Sequence, residues 1–237
     1  MQIHYEDSYL LVINKPPNLL VHHSKYARNI EEKSLVELLI DMGIKAYPIH
    51  RLDRKTSGLI LFAKQKEDVA LFQALFEIKQ IEKKYIALVR GFVVGEGVLN
   101  SPVKNDRGNY KEAETKYTCL EQFELPIPVV PYASSRYSLV EFSPSTGRMH
   151  QLRIHSNKMS HPIIGDPKYG NRHHNHMFEE KFGITSLFLH AYSLKFNHPI
   201  TKNNLFFQVS LPGFWEELTQ KAGFESKLIK ELSSVNL

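Results

Sequence analysis

Short apolar runs separated by polar and turn-forming residues make up the chain from end to end. Residues 3–14 read as a strand pair or a strand with a turn. Leu10–Ile13 follow the polar Glu6-Asp7-Ser8, and Asn14-Lys15-Pro16-Pro17 stops the run, because proline fixes φ and lacks a backbone donor. Leu19–Val21 reads as a second short strand and the polar residues 23–33 as a loop. Ser34 and Glu37 stand at capping-box spacing, Leu35, Leu38 and Leu39 follow with helical spacing, and Gly43 is a natural stop. Residues 57–64 (SGLILFAK) read as a buried strand. Residues 67–79 read as a helix in which Leu71, Leu75 and Ile78 recur at four and three, with Phe72 and Phe76 beside them.

Tyr85–Val89 reads as a strand closed by Gly91, and residues 98–118 as two or three short polar strands around the turn Asp106-Arg107-Gly108-Asn109. The three prolines of residues 124–134 predict a loop, Tyr137–Phe142 alternates as a strand, Ser143–Gly147 is a turn, and a short helix follows through Met159. The run Arg172-His173-His174-Asn175-His176 reads as a polar loop. Leu187–Phe196 and Leu205–Leu211 read as strands, Pro212 opens a last helix through Trp215 and Leu218, and the last dozen residues are expected to fray. No repeat, low-complexity tract or linker interrupts this order. It predicts one α+β domain over residues 1–237, with a mixed, mainly antiparallel sheet flanked by helices and loops.

Composition narrows the class. The chain has 237 residues, 42% hydrophobic and 23% charged, which excludes disorder, collagen-like repeats and coiled coil as the main architecture. No apolar run approaches the roughly 18 residues of a membrane-spanning helix, so no membrane association is expected. The N-terminal stretch places acids before a short apolar run, unlike a secretory signal. The single cysteine, Cys119, can form neither an internal disulfide nor, alone, a thiolate zinc site; a reduced, cytoplasmic location is expected. Thirty Lys and Arg against 25 Asp and Glu give a net charge of +5. That excess suits a polyanionic partner, whose counterions are released on binding, and equally suits an ordinary basic enzyme.

The chemistry concentrates in His50-Arg51-Leu52-Asp53-Arg54-Lys55-Thr56-Ser57-Gly58, where one carboxylate sits among three cations just before an apolar strand. Neighbouring cations favour the ionised carboxylate, which can act as nucleophile or base. An Asp that caps a turn among surface charges would look the same in isolation. Gly58 lets the backbone turn into the strand. The histidines at 173, 174 and 176 invite a metal reading, but they show no helix-spaced pair and no carboxylate partner; no metal site is expected.

The full string HRLDRKTSGLILFAK closely resembles the active-site motif of the RluA family of pseudouridine synthases. Further landmarks stand in the family's order: Asn14-Lys15-Pro16 with Val21-His22, Lys84-Tyr85 through Gly91, Thr146-Gly147-Arg148-Met149-His150-Gln151-Leu152-Arg153-Ile154-His155, His161-Pro162-Ile163-Ile164-Gly165-Asp166, and Leu189-His190-Ala191. The resemblance implies the pseudouridine synthase catalytic fold. It also implies an isomerase that converts uridine in RNA to pseudouridine without a cofactor. Asp53 matches the catalytic aspartate, acting by attack or by assisting proton removal at the sugar. Tyr85 matches the active-site tyrosine, and Arg153 the cation that pairs with and orients the carboxylate. Arg51 matches the arginine that helps extrude the target base, a role suited to a planar, permanent cation. His50 is expected to support the site, and Arg148, Lys168 and Arg172 to meet RNA. Taken one by one, Tyr85 also fits a strand residue with a core-facing ring, and Arg153 a surface cation.

The Asn-Lys-Pro landmark comes so early that no N-terminal S4 module is expected, and recognition falls to the catalytic domain and its loops. The partner implied is an RNA, with tRNA favoured; a monomer without an obligate protein partner is expected. Ser134 through Glu141 and Gly165 through Arg172, followed by Phe182-Gly183, are most similar to family members that modify uridine 65 in the acceptor–T arm of tRNA. An rRNA substrate, or both RNAs, is the alternative within the family. A non-catalytic RNA-binding protein on the same fold is the alternative outside it. A glycoside hydrolase fits poorly, since the motif offers one carboxylate where two are normal.

Overall fold

The computed structural model describes residues 1–23, 31–105 and 107–235. Most of the predicted 23–33 loop, and Asp106 of the predicted turn, therefore lie outside the described residues. In chain order the elements are β1 (Gln2–Glu6), β2 (Leu10–Lys15), α1 (Leu35–Asp41), β3 (Tyr47–Pro48), β4 (Ser57–Ala63), α2 (Val69–Glu77), β5 (Glu82–Arg90) and β6 (Glu96–Asn100). There follow β7 (Val103–Lys104), β8 (Tyr110–Lys111), β9 (Glu114–Leu125), β10 (Ser135–Pro144), α3 (Gln151–Lys158), α4 (Arg172–Phe182), β11 (Leu189–Asn197), β12 (Asn204–Gln208), α5 (Phe214–Ala222) and α6 (Lys227–Ser233). Among the described residues two compact units form, Met1–Glu82 with Ser193–Val209, and Lys83–Tyr192 with Ser210–Val235. Each has its own apolar core.

In the first unit Asp7 makes the β1–β2 turn, its Oδ1 accepting the N–H groups of Tyr9 and Leu10 at 2.7 Å each. β2 pairs antiparallel with β4, from Leu10 opposite Ala63 to Lys15 opposite Gly58. All seven β4 residues are buried, which is why the sequence shows a continuous run there instead of an alternation. Leu10 and Val12 share one sheet face with Leu59, Leu61 and Ala63, and pack with Phe72, Leu75, Phe196 and Phe207. β12 pairs with Ser193–Asn197 of β11.

Two expectations are corrected here. α2 buries Phe72 and Leu75 and exposes Leu71 and Ile78, so the core takes the neighbouring stripe of an all-round apolar helix. Leu19–Val21 is not a strand. The carbonyls of Leu20 and Val21 instead accept the first N–H groups of α1, from Leu35 and Val36, donors that no helix can satisfy internally. The capping box of α1 forms as expected between Ser34 and Glu37.

The second unit holds an antiparallel sheet in the order β5-β10-β9-β6 and a small β7–β8 hairpin. Its core gathers Tyr137, Phe142, Phe178, Phe188 and Trp215. The predicted polar loop at 172–176 is the start of α4. Asn171 caps it, its side chain accepting from His173 and His174, while Met177, Phe178 and Phe182 are buried and Gly183 ends the helix with φ +68°. The predicted fraying tail is α6, capped by Ser226 and docked through Ile229 and Leu232. The fold is α+β with a mainly antiparallel sheet, as the sequence predicts.

Candidate active site

Asp53 lies half-buried in the turn between β3 and β4, where its carbonyl accepts the Thr56 N–H at 3.1 Å. The turn is pinned on both sides. Before it, Ile49 N–H bonds the Leu61 carbonyl at 3.0 Å, and His50 Nε2 accepts the Leu61 N–H at 3.1 Å with its ring 4.8 Å from that of Phe76. After it, the Arg54 carbonyl accepts from Lys15 Nζ at 3.1 Å. Lys15 is fully buried and also donates to the carbonyls of Pro16 and Leu19, at 2.9 Å each. The three donors of an ammonium thus find three acceptors. Burial pulls the Lys15 pKa down to about 7; the Asp53 carboxylate opposes this and the Arg54 cation adds to it. Gly58, opposite Lys15 in the ladder, has φ +109°, a conformation closed to L side chains. Arg51 is exposed; burial, then the nearby Arg51 charge, holds His22 below the usual imidazole range.

In the second unit Tyr85 stands on β5 opposite Phe142, half-buried against the core. Lys83, two residues earlier, donates to the Thr146 carbonyl at 3.4 Å, and burial lowers its pKa to about 8. Gln151 fixes the Thr146–Arg148 turn: its Oε1 accepts from Thr146 Oγ1 at 2.7 Å and from the Arg148 N–H at 3.0 Å. Its Nε2 donates to the Glu114 carbonyl and to Thr115 Oγ1. Arg148 is exposed, its Nε bonding the Glu112 carbonyl. His150 starts α3 in the left-handed region, φ 55°, with Nδ1 3.1 Å from the Tyr169 hydroxyl.

Arg153 is buried on α3. Its Nε and Nη2 donate to Oδ2 and Oδ1 of Asp166, both at 2.7 Å, a bidentate pair. The Tyr169 ring lies 5.3 Å from the guanidinium. Asp166 Oδ1 also accepts the N–H groups of Lys168 and Tyr169. Burial pushes the Asp166 carboxyl up, but the Arg153 hydrogen bonds and charge, with those two N–H groups, outweigh it and leave it below its usual value. Asn175 braces the same turn, accepting from the Gly165 N–H and donating to the Asp166 carbonyl. Gly165 has φ +78°, and a Cβ there would run into the Ser186 carbonyl. Lys168 and Arg172 are exposed.

The predicted residues thus fall into two groups. His50, Arg51 and Asp53 share one loop, and Arg148, Arg153, Lys168 and Arg172 surround the α3 start and the 165–172 turn, with Tyr85 on β5 of the same unit. Lys15, Gln151 and Asp166 are the supports that sequence reasoning left without a role. A lysine closing an apolar run, and an Asp after Ile-Ile-Gly, are the signals that could have found Lys15 and Asp166. Among the described residues no cluster of His, Cys, Asp or Glu could hold a metal ion, and no helix is long and apolar enough to cross a membrane.

Comparison with known proteins identifies the family. The family model for RNA pseudouridylate synthase matches residues 9–158. A tRNA pseudouridine synthase C of Pasteurella multocida is 41% identical over 229 residues, 92% of this chain and 94% of that one. The enzymes of the same name from Haemophilus influenzae and Vibrio cholerae are 38% and 37% identical, covering 95% and 97% of this chain and 99% and 98% of theirs. Among solved structures, human RNA pseudouridylate synthase domain containing 4 superposes with a TM-score of 0.69 at 26% identity, covering 94% of each chain. Human RNA pseudouridylate synthase domain containing 1 shares the fold with a TM-score of 0.70 at 23% identity, covering 99% of this chain and 95% of that one. The chain belongs to the RluA-type RNA pseudouridine synthases, a family of isomerases that act on uridine in RNA.

Proposed function

We propose that this chain isomerises a uridine of tRNA, uridine 65 in the acceptor–T arm, without a cofactor. The observation that carries this reading is its near end-to-end similarity to three relatives named for tRNA, at 37% to 41% identity. Asp53 is the reacting carboxylate, attacking the sugar or assisting removal of a sugar proton. The N1–C1′ bond breaks, the uracil turns, C5 bonds to C1′, and the C5 proton leaves as N1 regains one, so the reaction is balanced without a co-reactant. Tyr85 stacks on the uracil and serves the proton transfer from C5. Arg153, fixed by Asp166, supplies the cation that the reacting carboxylate needs. Arg51 fills the space of the extruded base. Arg148, Lys168 and Arg172 meet phosphates, with His50 as a support. The single catalytic domain acts as a monomer, where the cell keeps its tRNA.

Support for these roles is local: the Asp53 turn is anchored by Lys15 and His50, and the Arg153 side chain by Asp166. The test is to incubate purified protein with unmodified tRNA and rRNA transcripts and map pseudouridine chemically. Pseudouridine at tRNA position 65 is expected. Product only in rRNA would replace the substrate, and bound but unmodified RNA would mean a binding protein.

A further inference from the structure

A cavity of about 580 Å³ opens in the second unit at the far end of β5, five residues beyond Tyr85 and so roughly 17 Å along an extended strand. That volume suits a small organic ligand. Its walls include Arg90, Phe92, Tyr132, Ser135, Arg136 and His161.

Arg90 is held in place. Its Nε donates to Nε2 of His174 at 3.2 Å, and the other ring nitrogen lies 2.8 Å from the Tyr137 hydroxyl. Since Nε2 accepts, Nδ1 carries the ring proton and donates to the phenol. Burial, then the Arg90 charge, pulls the His174 pKa to about 4, so the ring stays a neutral acceptor. Among the described residues Arg90 makes no ion pair. Ser135 is 2% exposed, and its Oγ has no hydrogen-bond partner; it lies near the Tyr137 phenol but outside hydrogen-bond geometry. His161 Nδ1 donates to the Arg90 carbonyl at 2.8 Å, leaving Nε2 as the ring's acceptor. Gly91, with φ +82°, makes room for that ring, because a Cβ would come within 3.1 Å of it. At the rim, Arg136 lies over the Phe92 ring at 5.3 Å and 3.4 Å from a Glu124 oxygen, and the Tyr132 ring is 60% exposed.

We propose that this cavity is a nucleotide-binding site distinct from the proposed catalytic residues: Arg90 and Arg136 take a phosphate, and the exposed Tyr132 side chain takes the base. A guanidinium fork matches phosphate, and an exposed aromatic ring stacks on any base. An apolar ligand would leave the Arg90 cation without a counter-charge, and a simple anion would not use the ring. The nucleotide is either a residue of the substrate RNA outside the reacting uridine or a free nucleotide. The first source rests on the tRNA reading above.

Calorimetric titration of the full chain with AMP, UMP and inorganic phosphate tests the site, and steady-state turnover of a tRNA transcript separates the sources. Both nucleotides are expected to bind more tightly than phosphate. Tyr132→Ala should weaken the nucleotides about fivefold or more and leave phosphate unchanged, because it removes only stacking. Arg90→Gln should weaken all three about tenfold. Glu124→Gln frees Arg136 and should tighten all three about two- to fivefold, a gain that a damaged fold would not produce. If the RNA supplies the nucleotide, Tyr132→Ala raises KM for tRNA by a similar factor with kcat unchanged. If a free nucleotide does, that KM stays put. No saturable binding of AMP or UMP at millimolar concentration, or binding indifferent to both Tyr132→Ala and Arg90→Gln, overturns the proposal. The titration decides it even if no tRNA is turned over.

Discussion

Lys15 Nζ donates to the Arg54 main-chain oxygen at 3.1 Å, so the last residue of β2 holds the residue that follows Asp53. The lysine is buried, and its other two bonds tie down the Pro16 and Leu19 carbonyls. One ammonium therefore fixes the segment leaving β2 and the turn that carries the candidate carboxylate.

Replacing Lys15 with Met removes the ammonium but keeps the stem's length, leaving three carbonyls short of a donor. An unsatisfied buried polar group costs about 1–3 kcal/mol. Urea denaturation should show a loss of about 2 kcal/mol or more. Turnover should fall through kcat more than KM, since the defect displaces Asp53 and leaves RNA contacts in place. An unchanged kcat would separate the lysine from the site.

The folded-state pKa values of Lys15, about 7, and Lys83, about 8, both lie below the ordinary 10.5. Between those values and 10.5 the unfolded chain binds more protons than the folded one, so stability rises with pH across that window. Denaturant midpoints taken from pH 7 to pH 10 should increase, and Lys15→Met should flatten the rise. A midpoint that falls over this range in the parent protein would contradict the burial of the two lysines.

Breaking a buried ion pair costs about 3–5 kcal/mol, because the remaining charge stays in place. Asp166→Asn should cost close to that and should reduce turnover by displacing Arg153. The Asp166 carboxyl is held below its usual 3.8, so its contribution is complete above about pH 4 and disappears as pH falls through the folded value. The stabilities of parent and Asp166→Asn should therefore converge only below about pH 4. Convergence already at neutral pH would mean that the pair stabilises little.

Asp53→Asn is isosteric, and the turn around Asp53 is fixed by main-chain bonds and by Lys15. The variant should stay folded and keep its affinity for tRNA while pseudouridine formation drops about a thousandfold or more. Turnover near the parent's rate would remove Asp53 from the chemistry.

Arg51, Arg148, Lys168 and Arg172 are all exposed. If they meet phosphates, tRNA binding weakens steeply with salt. Arg172→Gln should then reduce the slope of log affinity against log salt by about 1. An unaltered slope would place Arg172 off the RNA.

The sequence by itself settled whatever contiguous residues decide. The Ser34–Glu37 capping box and the buried run of β4 depend on neighbours a few positions apart, and both form; the strand over Tyr137–Phe142 forms too, but Tyr137 through Val140 are all buried, so the expected alternation of exposure does not. The candidate carboxylate and its flanking cations were legible for the same reason, lying in one unbroken string. The supports were not, because their partners are distant in sequence: Lys15 and Arg54 are 39 residues apart, Arg153 and Asp166 13. Which stripe of α2 turns inward was decided by the unit's core, since Leu71, Phe72, Leu75 and Ile78 offer apolar faces on more than one side. α4 and α6 look polar at their starts and become helices because Phe178, Phe182, Ile229 and Leu232 find a core to enter. Propensity and pattern are local energies. Burial and ion pairing belong to the assembled fold, and only tertiary structure could assign them.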